Sequence, residues 1–289
     1  MKLVTFSCRG RTSIGKIVDD RVIDLAAADA RLPATMRELL DGGGKLLERA
    51  RNVDAGQAPS YPLADVRLEA PVPNPGKFLA IGMNYRKHVE EARRGGVQVP
   101  DSQVWFNKQV SCINGPFDPV HLPKVSDKLD YEAELGVVIG RRCRHVPARD
   151  ARSVIAGYLV VNDVSVRDWQ MRSPTMTLGK SFNTTGPIGP WIVTDDEVAD
   201  PQALAMRMLV NGELRQETTT DQMIHGICDQ IAYLSTVMTL EPGDLIATGT
   251  PSGIGAAMTP PSFLKAGDLM RVEIDGIGHI ENLVIPEPV

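Results

Sequence analysis

Aromatic residues are scarce here: Phe, Tyr and Trp together make up 5% of 289 residues. Few rings are therefore available for stacking on nucleobases. An excess of positive charge is also missing, with 36 acidic side chains against 31 Lys and Arg and a net charge of −5. Both absences exclude nucleic acid as the main partner, because its binding depends on neutralising phosphates. No apolar run reaches the ~20 residues that cross a bilayer. The strand-like Met1–Phe6 passes straight into polar Ser7-Cys8-Arg9-Gly10-Arg11, without the apolar segment of an export signal. The expectation is a cytoplasmic protein with no membrane partner. The four cysteines (Cys8, Cys112, Cys143, Cys228) are scattered, without a C-x-x-C pair. That spacing suits neither a zinc site nor a disulfide framework, and predicts free thiols in a reducing compartment.

What is present is an ordinary globular composition, 43% hydrophobic and 23% charged, in a chain long enough for a full core. Residues 1–70 read as a small α+β unit. It has strands at Met1–Phe6, Ser13–Val18 and Arg21–Leu25, and helices at Thr35–Leu40 and Lys45–Asn52 around the breaker Gly42-Gly43-Gly44. The stretch Ala70–Gly76 carries three prolines, which fix the backbone and remove donors. It marks the expected boundary with a second domain, 71–289. There Lys77–Gly82 and Val104–Lys108 read as strands, Asp150–Ile155 as a helix with Asp150 as its N-cap, and Gly186–Pro190 as a rigid turn. Asn211-Gly212 after Leu204–Val210 is a hairpin signal. Ile224–Leu234 reads as an apolar helix, and Leu269–Ile274 with Ile280–Ile285 as a closing pair of strands.

Chemistry concentrates in Leu129-Asp130-Tyr131-Glu132-Ala133-Glu134-Leu135-Gly136, which runs into Val137-Val138-Ile139. On a strand, Glu132 and Glu134 share a face, roughly 7 Å apart. Asp163 sits in a second apolar segment, Tyr158–Val164. An isolated Glu-x-Glu is usually a wetted edge. If the two segments are neighbours, however, three carboxylates converge and call for a hard divalent cation, Mg²⁺ or Mn²⁺. Upstream, His88 and Glu91 are three apart on a helical stretch, so the carboxylate can orient the imidazole as a general base. Arg93-Arg94-Gly95-Gly96 then breaks that helix with a segment suited to a lid. Lys180, among small and apolar neighbours, is placed to stabilise developing negative charge if it is buried near the acids. Leu240–Gly255 reads as a strand ending in a Gly- and Thr-rich loop, whose amides and hydroxyls suit a carboxylate.

Five motifs occur in order: Ile81-Gly82-Met83-Asn84-Tyr85 with His88, Asp130–Gly136, Asn162-Asp163-Val164, Gly179-Lys180-Ser181-Phe182, and Thr248-Gly249-Thr250-Pro251-Ser252-Gly253. Together they resemble the fumarylacetoacetate hydrolase family over Lys77–Ile285, closest to its acylpyruvate-type branch. The resemblance implies a mixed β/α, mainly β fold with a barrel-like catalytic domain, assembled as a homodimer. It implies Mg²⁺ or Mn²⁺ on Glu132, Glu134 and Asp163, a His88–Glu91 dyad, and Lys180 beside the oxyanion or enolate. Tyr85, Gln170, Gly249 and Thr250 are implied as substrate contacts. Longer animal-type members carry a further Asp ligand where this chain reads Gly82-Met83-Asn84-Tyr85, which leaves that coordination position to water. The activity expected first is hydrolysis of a carbon–carbon bond in a 2,4-dioxo acid to release pyruvate. Alternatives are a tautomerase or isomerase, a decarboxylase, or a lyase or dehydratase of a 2-oxo acid; a non-catalytic metal- or metabolite-binding module is the alternative from another class.

Overall fold

In a computed structural model that describes residues 1–288, the chain opens with a meander of β1 (Lys2–Cys8), β2 (Arg11–Val18) and β3 (Arg21–Asp24). Helices α1 (Met36–Asp41) and α2 (Gly43–Arg51) follow. Thr35 caps α1 by accepting the Glu38 N–H, while its hydroxyl donates to the Glu38 carboxylate. The glycine breaker interrupts helicity at Gly42 alone. Beyond β4 (Ser60–Pro62), Ala70, Pro71 and Val72 are buried.

The remaining elements are β5 (Phe78–Gly82), α3 (Arg86–Arg94), β6 (Val104–Lys108), β7 (Ala133–Ile139), β8 (Ile155–Asn162) and β9 (Gly186–Thr194). After them come β10 (Ala205–Val210), β11 (Glu213–Thr219), α4 (Ile227–Val237), β12 (Leu245–Ala247), β13 (Leu269–Ile274) and β14 (Gly278–Pro286). One twelve-stranded sheet runs β4-β3-β2-β1-β9-β8-β7-β12-β5-β6, with Arg67–Leu68 added to β1 and Ile113–Asn114 to β9. A five-stranded sheet, β11-β10-β13-β14 and Val120–Leu122, packs against it. The fold is mainly β as expected. The strand path of the large sheet is open rather than closed into a barrel, with β4 and β6 at its ends.

β1 pairs directly with β9, Lys2 opposite Val193. The strands before residue 70 and those after it therefore belong to one sheet. They also share a core, in which Leu3, Ile14, Leu39 and Leu40 meet Phe78, Val138, Leu159, Ile188 and Leu245. Strand alternation separates this core from the second one: Leu135, Val137, Ile139, Tyr158 and Val160 face Met206, Met208, Val272 and Ile280 instead. Burial on both faces explains why Leu135–Ile139 of β7 and Ile155–Val161 of β8 read as apolar runs.

Two local expectations are corrected. Asp150 is not an N-cap; the helix begins at Ala148 behind extended Pro147, and Asp150 lies in its first turn. Gly186–Pro190 is not a turn but the first half of β9. The β8–β9 ladder shifts register between Tyr158 and Val160, next to Pro190, which has no N–H to donate. The hairpin at Asn211-Gly212 forms with both residues at positive φ, as a two-residue turn of this kind needs.

Candidate active site

β7 and β8 are antiparallel neighbours, with Ala133 opposite Asn162 and Glu134 opposite Val161. That register delivers Asp163 to the two glutamates, and the Asp163 N–H donates to the Glu132 carbonyl at 2.9 Å. Tyr131 and Glu132 lie just before β7, in a break after the short strand Leu129–Asp130. Glu132, Glu134 and Asp163 are all buried, and one oxygen from each lies within 4.8 Å of the others. It is the only such cluster among the described residues.

Two buried lysines and the largely buried Arg167 sit with these acids. Lys180 Nζ donates to Glu132 Oε2 at 2.7 Å and to Asp163 Oδ2 at 2.6 Å. Lys108 Nζ, at the end of β6, donates to Asp163 Oδ1 at 2.7 Å and to the Val164 carbonyl at 3.2 Å. Arg167 reaches Glu132 Oε1 at 2.6 Å and Asp130 Oδ2 at 2.8 Å. Gly179 admits Lys180 to this position. A Cβ there would fall 2.1 Å from the Gln170 backbone nitrogen, so only glycine allows the approach.

Charge is not balanced. Asp130, Glu132, Glu134 and Asp163 face only Lys108, Lys180 and Arg167. Burial opposes the charged form of Glu132, yet Lys180 and Arg167 outweigh it and hold that carboxyl down at about 2. Glu134 has no such partner and accepts from the Gly249 N–H at 2.7 Å. Burial, then the charges of Asp163 and Glu132, push its carboxyl well above the usual range. A divalent cation is the group that this set fits: three converging oxygen ligands with one unit of negative charge in excess.

His88 lies on α3, buried, with Nδ1 3.1 Å from Glu91 Oε2. In the neutral ring that nitrogen donates to the carboxylate, leaving the Nε2 lone pair available. Glu91 is held in turn by the Gly253 N–H at 3.1 Å. His88, Glu91, Glu132, Glu134, Lys180, Gln170 and Thr250 line one cavity of about 750 Å³, whose apolar wall includes Ile81, Met83, Phe106 and Met176.

Two expected contacts lie elsewhere. Tyr85 is 1% exposed behind that wall, and its hydroxyl has no partner. Burial, with Glu134 and Asp221 nearby, raises its pKa. Gly249 is engaged with Glu134. The glycine-rich loop amides were expected to hold a ligand carboxylate, but those of Gly249, Gly253, Gly255 and Ala256 already donate to Glu134, Glu91 and Asp130. The loop anchors those three acids.

Sequence reasoning assigned no role to Lys108, Arg167 or Asp130. A lysine two places after the buried Phe106, on the same face of the Val104–Lys108 strand, was the available signal for Lys108. Asn84, inside a quoted motif, proves to be a staple. Its amide donates to the carbonyls of Thr248 and His225 and accepts the His225 N–H, fixing the entry to α3.

Fold and site together define an enzyme fold with a buried three-carboxylate cluster suited to a divalent cation beside an open cavity. The description "Fumarylacetoacetate (FAA) hydrolase C-terminal" matches residues 77–285, and the chain belongs to the fumarylacetoacetate hydrolase family. Oxaloacetate tautomerase fahd2, mitochondrial, of Xenopus laevis is 42% identical over 99% of this chain and 90% of its own. A crystal structure of maleylpyruvate hydrolase from Sphingobium sp. SYK-6, in complex with manganese(II) and pyruvate, is 35% identical, with a TM-score of 0.83 over the full length of both chains. The 5-carboxymethyl-2-hydroxymuconate delta-isomerase of Mycobacterium smegmatis is 34% identical, with a TM-score of 0.80 over 99% of this chain and 100% of its own. No helix among the described residues is long and apolar enough to cross a membrane.

Proposed function

We propose that this chain is a metal-dependent keto–enol tautomerase of a short 2-oxo diacid, with oxaloacetate the first substrate to test. The observation that carries the reading is the His88–Glu91 pair lining the same cavity as Glu132, Glu134 and Lys180. The 42% identity with an oxaloacetate tautomerase supports the choice of reaction. Glu132, Glu134 and Asp163 are the residues that would hold Mg²⁺ or Mn²⁺. When bound, such an ion supplies Lewis-acid polarisation of a 2-oxo group.

The chain's own residues do the rest. His88 Nε2 takes a proton from C3, the C–H pair becomes the C2=C3 double bond, and the charge moves to O2. Glu91 holds the imidazole in the tautomer that can accept this proton and stabilises the imidazolium that forms. Lys180 supplies fixed positive charge beside the enolate in a buried setting, where it counts for more than in water. His88 then returns the proton to O2, or to C3 in the reverse direction. Thr250 and Gln170 receive the substrate carboxylates.

A second reading, hydrolysis of an acylpyruvate to pyruvate and a carboxylic acid, uses the same dyad on water. The neighbour complexed with manganese(II) and pyruvate favours it. Both are tested by incubating the protein with enol-oxaloacetate and, separately, acetylpyruvate, with Mg²⁺ or Mn²⁺ and a chelator control. Metal-dependent loss of oxaloacetate enol absorbance without pyruvate is the expected result. Pyruvate from acetylpyruvate would replace the tautomerase by the hydrolase, and pyruvate from oxaloacetate would point to decarboxylation. Inactivity toward both substrates would sink both readings.

A further inference from the structure

Gln216 stands on β11 in the second sheet, 1% exposed, outside every motif discussed above. Its amide nevertheless joins the two sides of the site. Oε1 accepts the N–H of Ala133, the residue between Glu132 and Glu134, at 2.9 Å. Nε2 donates to Thr250 Oγ1 and to the Pro251 carbonyl, each at 2.9 Å. An amide can usually be placed either way round, but not here. The Ala133 N–H can only donate and the Pro251 carbonyl can only accept, so the oxygen must face Ala133 and the nitrogen Thr250.

This orientation has a consequence for the hydroxyl. Thr250 Oγ1 receives an N–H on one lone pair, so its own proton cannot point at Gln216 and is free for an acceptor on the cavity side, and Thr250 lines that cavity. A hydroxyl otherwise rotates to donate or accept as its surroundings dictate. We propose that Gln216 is a positioning residue that makes Thr250 a fixed hydrogen-bond donor, so that this end of the cavity takes an ionised carboxylate. The same amide sets the distance between that donor and the start of β7, where Ala133 lies between Glu132 and Glu134. The inference rests on the proposed function's placement of a substrate carboxylate at Thr250.

The test uses the full chain loaded with Mn²⁺. Pyruvate is the probe for calorimetric binding, and oxaloacetate the substrate for KM and kcat. Gln216→Glu keeps the shape and reverses the polarity: its carboxylate would accept both the Ala133 N–H and the Thr250 O–H, drawing that proton inward. Pyruvate binding is expected to weaken and KM to rise roughly ten- to hundredfold, the worth of a hydrogen bond to a charged group, with kcat changing much less. Gln216→Met, which carries no new charge, covers the case in which the Glu variant does not fold. Its loss of pyruvate affinity is expected in the wild-type background and absent in Thr250→Val, the mark of two residues acting through one interaction.

Equal losses in both backgrounds would reduce Gln216 to a support of the fold and overturn the proposal. Weakening by Thr250→Val without any by either Gln216 variant would overturn it while leaving the carboxylate at Thr250. No effect of Thr250→Val on pyruvate binding or KM would instead remove the carboxylate from Thr250, and with it the basis of the inference.

Discussion

Glu132 and Glu134 are the same side chain two positions apart, yet their surroundings push them in opposite directions. Lys180 and Arg167 hold Glu132 ionised against the cost of burial, whereas burial and two neighbouring acids disfavour the charge on Glu134. For Glu134 the folded-state pKa lies above the unfolded value of 4.5. Above pH 4.5 the unfolded chain therefore releases this proton more readily, and the group lowers stability at neutral pH until a cation joins it. Glu134→Gln is expected to raise the melting temperature of chelator-treated protein at pH 7 by roughly 2 °C or more, and to lower Mn²⁺ affinity. A fall in melting temperature would contradict this account of the charge. Glu132 has the reverse sign: its stabilisation is complete above 4.5 and is lost as pH falls toward about 2. His88→Ala separates binding from chemistry. Mn²⁺ affinity measured by calorimetry should persist, while turnover falls roughly 10²- to 10⁴-fold; undiminished turnover would remove His88 from the mechanism.

The loop from Thr248 to Ala257 works as an element, because three acids of the site, Glu134, Glu91 and Asp130, are tied to it. Gly249 takes Glu134 at φ +99, with Asn84 Cβ 2.8 Å from where a side chain would begin. Gly253 takes Glu91, and Gly255 with Ala256 takes Asp130. Asp130 also accepts from Arg167, whose other branch reaches Glu132. Removing Asp130 therefore leaves a buried guanidinium short of a partner and two loop amides without an acceptor. Asp130→Ala should cost about 3–5 kcal/mol in urea unfolding, and should also raise KM by loosening the loop that bears Thr250. A loss below about 1 kcal/mol would mean that water replaces the carboxylate there.

Across the whole molecule, the N-terminal meander is continuous with the strands that carry the site, through Lys2 opposite Val193 and through a shared core. Leu3 is fully buried in that core. Leu3→Ala is expected to destabilise the chain by about 2–5 kcal/mol. Trp105 and Trp169 lie outside the N-terminal region, whereas Trp191 packs against it with Lys2 Nζ 4.7 Å from its ring, so in a Trp191→Phe background the fluorescence reports on the remainder. Fluorescence and circular dichroism midpoints should shift together. Separate shifts would show two units that unfold independently.

The sequence by itself determined most of the strands, the Glu132-x-Glu134 spacing and the His88–Glu91 spacing, because each follows from local periodicity, whereas the approach of Asp163 needed the pairing of β7 with β8. Two-residue spacing at the start of β7 and one turn of α3 are properties of neighbours in the chain. Asp150 and Gly186–Pro190 were misread for the same reason in reverse. Local cap and turn signals are weak, and pairing with distant strands overrides them. Only the tertiary structure decided which cations meet the acids. Lys108 finds Asp163 across 55 positions, Arg167 finds Asp130 across 37, and Gln216 finds Ala133 across 83. Those meetings depend on strand order and register, and a slip of one residue would turn the carboxylates to the opposite face. The imbalance of charge that calls for a metal, and the donor at Thr250, exist only once that register is set.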